Sequence, residues 1–71
     1  MPRPIKRRDF IRRLRMLGWE GLYQKGSHPY MVKGSRRLTV PNPHGDEMDW
    51  TLVKRILAQA GIDPTDWDRL P

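Results

Sequence analysis

Apolar residues fall at Phe10, Ile11, Leu14 and Leu17, the i, i+1, i+4, i+7 spacing of a single helix face. That spacing predicts a helix from about Lys6 to Leu17, with arginines on its other faces. Asp9 in the first turn suits the helix dipole, and Gly18 supplies the left-handed residue that ends the helix and lets Trp19 fold back on its last turn. Beyond Trp19 the period shortens. WEGLYQK, HPYMVK and RRLTV are separated by Gly-Ser pairs, which predicts three antiparallel strands joined by tight turns. Leu38 and Val40 alternate with Arg37 and Thr39, so the third strand has one buried and one wet face. Pro29 has no N–H to give a ladder, which assigns the start of the second strand to an edge or an end.

PNPHGDEMD, residues 41–49, is rich in turn formers and reads as a loop whose last residue, Asp49, caps the next helix. Leu52, Val53, Ile56, Leu57 and Ala60 share a face of that helix, and Gly61 stops it. Asp63, Pro64 and Asp66 mark one more short helical turn, with Trp67 docked against the core. The order is helix, strand, strand, strand, helix. Two amphipathic helices on one face of a three-stranded antiparallel sheet satisfy every apolar stripe, which makes the fold class α+β and residues 1–71 one domain.

Charge adds a partner class. Fourteen Lys and Arg stand against eight Asp and Glu, a formal net charge of +6 that favours polyanions. Most of the cations precede Pro41, where Asp9 and Glu20 are the only acids, so a nucleic-acid face belongs to the first half. A solvated basic surface that aids solubility is the alternative reading of the same excess. A chain of 71 residues buries only ~60% of its unfolded surface, which argues against a deep pocket. Without cysteine it holds neither disulfides nor a thiolate metal site, and a reducing cytoplasm fits. The basic N-terminus leads into a charged amphipathic stretch and no long apolar run follows, so neither export nor a membrane span is expected.

Lys25, Gly26, Ser27 and His28 join a cation, a flexible turn, a hydroxyl and an imidazole at a strand junction. Histidine ordinarily exchanges protons near neutral pH, as general acid or base catalysis requires. Gly26 lets backbone approach a phosphate, Lys25 can stabilise charge on a transferring phosphoryl group, and Ser27 can orient the imidazole or bond a phosphate oxygen. The same residues also read as a good hairpin turn whose histidine merely begins a strand. His44, the other histidine, sits among Asp46, Glu47 and Asp49, which repel phosphate, so a loop or packing role suits it better. These groups lack compact metal-ligand spacing, and neither a metal nor another cofactor is expected. Trp19, Tyr23, Tyr30 and Trp50 can stack RNA bases; core packing suits both tryptophans, leaving Tyr23 and Tyr30 as the better stacking residues.

The helix ending in LGW, then QKGSHPYMV, RRLTVPNPHG and TLVKRILAQAGI, resembles HicA, the toxin of HicA–HicB toxin–antitoxin pairs, from about Ile5 to Trp67. The specific matches are Gly26, Ser27 and His28; Val40 and Pro41; and Thr51, Leu52, Ile56, Leu57, Ala60 and Gly61. The resemblance implies a fold like the double-stranded-RNA-binding domain, metal-independent mRNA cleavage with His28 as the catalytic residue, and inhibition by a HicB antitoxin. Two departures are visible: Asp46, Glu47 and Asp49 stand where the family commonly carries lysines, and that loop is one residue shorter, which leaves His44 without a secure family counterpart.

The expected activity is therefore an endoribonuclease in which the RNA 2′-hydroxyl attacks the adjacent phosphodiester, His28 acts as base or acid, and Lys25 stabilises the developing charge. Arg12, Arg13, Arg36 and Arg37 are the residues expected to grip the RNA backbone. A non-catalytic RNA-binding module of the same fold, and a basic face that binds an acidic protein, are the two alternatives.

Overall fold

The computed structural model describes residues 4–41 and 45–71; His44 lies outside the described residues. Phe10, Ile11 and Leu14 bury one stripe of helix α1 (Arg7–Met16). Its C-terminus closes with paired backbone bonds, from Gly18 N–H to the Arg15 carbonyl at 3.0 Å and from Trp19 N–H to the Leu14 carbonyl at 3.0 Å. This is the Schellman arrangement, made possible by the left-handed Gly18, and it turns Trp19 back into the core. Strands β2 (Glu20–Lys25), β3 (His28–Lys33) and β4 (Arg36–Thr39) then form an antiparallel sheet in the order β2-β3-β4. Helix α2 (Trp50–Ala60) starts on Asp49, whose carboxylate accepts the Leu52 N–H at 2.8 Å, and α3 (Pro64–Asp68) starts on Asp63, which accepts from Thr65 N–H at 2.8 Å.

Residues of one parity in the sheet, Met31, Leu38 and Val40, join Phe10, Leu14, Val53, Leu57 and Trp67 in a single buried cluster. The helices thus cover one face of the sheet, which is the α+β layering expected from the hydrophobic pattern. Pro29 lies at an end of the central strand β3, where its missing N–H costs little and its carbonyl accepts from Val40 N–H at 3.0 Å. Among the described residues no helix is long and apolar enough to cross a membrane.

The loop expected over 41–49 needs correction. Glu47–Met48 forms a short strand, β5, antiparallel to Ile5–Lys6, β1, with Ile5 opposite Met48 and Lys6 opposite Glu47. Arg7 N–H donates to the Asp46 carbonyl at 2.7 Å, and Met48 is fully buried. Two-residue strands have no period to detect; their signal is a partner some forty residues away in the chain.

Candidate catalytic and nucleic-acid face

Alternation leaves the other side of the sheet open. In β3, Pro29 and Met31 are buried, whereas His28, Tyr30 and Val32 carry the opposite parity. His28 is directly opposite Lys25, Tyr30 lies between Tyr23 and Thr39, and Val32 lies between Glu20 and Arg37. Residues so paired share a face with Cβ atoms ~5 Å apart, so Lys25, His28, Tyr23, Tyr30 and Arg37 occupy one surface.

A glycine bulge makes this possible. Gly21 and Leu22 together oppose Met31, because the register shifts between Glu20 and Tyr23. Without the extra residue Tyr23 would turn to the helices; with it, Tyr23 and Lys25 stay in phase with His28. Gly21 takes φ +133, and a Cβ there would lie 3.1 Å from both the Tyr23 nitrogen and the Tyr30 carbonyl oxygen, which excludes larger residues. Strict alternation in WEGLYQK misses the shift; a glycine inside a strand is the signal that exposes it.

The Gly26-Ser27 loop joins the paired Lys25 and His28 as a two-residue connection, with Gly26 at φ +63, the type II′ pattern. Gln24 Nε2 donates to the Gly26 carbonyl at 3.1 Å. His28 and Ser27 are both exposed, and the structure shows no hydrogen bond between them, so Ser27 does not hold the imidazole here. On the same face the Arg37 guanidinium lies 4.3 Å from the centre of the Tyr30 ring, and the rings of Tyr23 and Tyr30 stand 5.7 Å apart, tilted by 39°.

The remaining arginines go elsewhere. Arg36 has the parity of Leu38, points to the helix layer and donates to the Gln59 and Ala60 carbonyls at 3.2 and 3.3 Å, capping α2. Arg13 donates to the Trp67 carbonyl at 3.2 Å, with its guanidinium 5.5 Å from that ring's centre. Arg12 donates to the Pro71 carbonyl at 3.2 Å and lies 3.8 Å from the Asp9 carboxylate. Arg7, Arg15 and Lys33 likewise donate to the carbonyls of Pro41, Gly21 and Leu17. Six cations of the first half thus donate to backbone carbonyls while keeping their charge, and of the four arginines expected to grip RNA only Arg37 shares the face of His28. Charge counting misses this division; the parity of Arg36 with Leu38 shows part of it.

A family model described as the HicA toxin of bacterial toxin–antitoxin matches residues 7–62, from the start of α1 past the end of α2, and includes the 25–28 turn. The chain matches no curated protein and no solved structure.

Proposed function

Because the chain belongs to the family of HicA toxins of bacterial toxin–antitoxin systems, we propose that it is a metal-independent mRNA endoribonuclease whose proton transfer is carried by His28. The observation that supports this most directly is the exposed His28 set opposite Lys25, on a face that also carries Arg37. An imidazole and an ammonium held on adjacent strands supply what phosphodiester transesterification requires, a proton exchanger and a cation for the developing charge.

In the proposed reaction the 2′-oxygen forms a bond to phosphorus as the bond to the 5′-oxygen breaks, leaving a 2′,3′-cyclic phosphate and a free 5′-hydroxyl. His28 takes the proton from the 2′-hydroxyl or gives one to the departing 5′-oxygen, and water handles the other proton. Lys25 neutralises charge on the non-bridging oxygens, while the Gly26 backbone leaves room for the phosphate. The substrate brings its own nucleophile, so an open surface suffices. In the cell a HicB-type antitoxin restrains this activity.

The test is incubation of a defined transcript with purified protein in EDTA. Cleavage yielding cyclic-phosphate ends is the expected result; an intact transcript would leave a non-catalytic RNA-binding module in its place.

The two adjacent arginines of β4 should behave differently when each is changed to glutamine. Arg37→Gln should flatten the plot of log K against log salt by about 0.7 if its one phosphate contact is lost, and lower stability by no more than about 1 kcal/mol, the scale of its contact with the Tyr30 ring. Arg36→Gln should leave the slope alone and cost roughly 1–2 kcal/mol in denaturant unfolding, because it uncaps α2. A slope in Arg37→Gln equal to that of the wild type would remove Arg37 from the RNA-binding face.

A further inference from the structure

We propose that Tyr23 is a stacking platform for one unpaired base of the RNA strand, with Tyr30 as its buttress and Arg37 as the lock on Tyr30. This inference rests on the ribonuclease reading and specifies how that surface holds its substrate.

Tyr23 is 46% exposed on the open sheet face, whereas every tryptophan is buried or half-buried. A tyrosine ring exposed on a face that also carries Lys25 and Arg37 offers a π-surface to another ring. The row has an internal order. Arg37 occupies one side of the Tyr30 ring at 4.3 Å, and Tyr30 then stands 5.7 Å from Tyr23, so the ring at the end of the row is the one left for a ligand.

Charge complementarity selects the occupant. Lys25 follows Tyr23 by two residues on the same strand, ~6.6 Å along, and faces His28 across the ladder. One nucleotide of an extended strand spans such a distance, so a base on Tyr23 delivers a neighbouring phosphate to Lys25 and His28. A duplex buries its base faces and has none to offer Tyr23; an acidic peptide supplies charge without a flat ring. The bulge at Gly21 gains a purpose here, since it brings Tyr23 to this side of the sheet.

The test uses 2′-O-methyl oligoadenylate, which lacks the attacking hydroxyl and so is bound without being cut. Tyr23→Leu should weaken binding about tenfold, the scale of a single base-aromatic stack, while Tyr23→Phe stays within about twofold of wild type. Tyr23→Thr, suited to a strand, should repeat the loss seen with leucine. Moving one abasic residue along the oligonucleotide should reveal a position that costs the wild type the same factor and costs Tyr23→Leu nothing further. A purely structural tyrosine would show no such coupling.

Wild-type affinity in Tyr23→Leu and Tyr23→Thr, or equal losses for every abasic position, would overturn the platform. Tighter binding of a duplex, insensitive to Tyr23, would also overturn it. Cleavage in EDTA is scored separately: cutting that survives with normal KM in Tyr23→Leu removes the platform and keeps the nuclease. A wild type that stacks the base but never cuts keeps the platform and removes the nuclease.

Discussion

Replacing His28 by alanine should slow RNA cleavage by ~10²–10⁴-fold, the usual contribution of a positioned acid or base, and leave the folded protein in place. The two effects separate because of where the side chain sits. His28 is exposed, belongs to the open face and lies outside the buried cluster, so stability should stay within about 0.5 kcal/mol of wild type. Single-turnover cleavage and denaturant unfolding of the same preparation measure both quantities. A variant that cuts at the wild-type rate would remove His28 from the chemistry, and one that unfolds would reassign it to the turn. Lys25→Ala gives a useful comparison: it keeps the proton exchanger, so its loss should be smaller and fall on the charge-stabilised step.

The largest effect on stability is expected from Trp67→Ala. Trp67 is 2% exposed, its ring centre lies 5.2 Å from that of Phe10, and its ring and carbonyl both engage Arg13. Removing a buried aromatic costs ~3–5 kcal/mol, and a chain of this size has only roughly 4–10 kcal/mol of stability in total. The Arg13 Nε, already buried without a hydrogen-bond partner among the described residues, would lose the ring beside it. Thermal unfolding should move down by about 15 °C or more, with cleavage activity lost above the new midpoint and retained below it. A shift of a few degrees would mean that α3 is an appendage. His28→Ala should lose chemistry and keep its fold, whereas Trp67→Ala should lose the fold first. Trp67 also lies beyond the residues matched by the family model, 7–62, so its importance rests on packing alone.

Helical elements were the most legible part of the sequence because their cues are local. Asp49, Gly61, Asp63 and Pro64 each act within one turn of their own position, and the structure uses all four where the pattern places them. The three strands were also readable, through the Gly-Ser turns and the alternation around Leu38. Strands β1 and β5 were not, since a two-residue bridge depends on a remote partner rather than on periodicity. In the candidate site, the juxtaposition of Lys25 and His28 follows from the two-residue turn between them, and Arg37 from its parity. The destinations of Arg12, Arg13 and Arg36 did not follow. A long side chain near a helix end binds whichever carbonyls the tertiary fold brings within reach, and composition counts it as charge all the same. The place of Tyr23 on the open face was hidden by the bulge, which inverts the parity of every later residue in β2.

The chain contains two Gly-Ser hairpins of the same conformational type, yet they differ in how much editing each can accept. At the second, the paired residues on either side of Gly34-Ser35 each reach a different helix end: Lys33 Nζ donates to the Leu17 carbonyl at 2.9 Å, ending α1, while Arg36 ends α2. An inserted residue or a cut at that tip would release the last turns of both helices together. The first hairpin holds no helix. A cut between Gly26 and Ser27 would separate Lys25 from His28 and spare both helix caps, so a circularly permuted chain opened there should still fold while losing its reactive pair. Grafting and permutation therefore have one permissive hairpin and one forbidden one, although their turn dipeptides are identical.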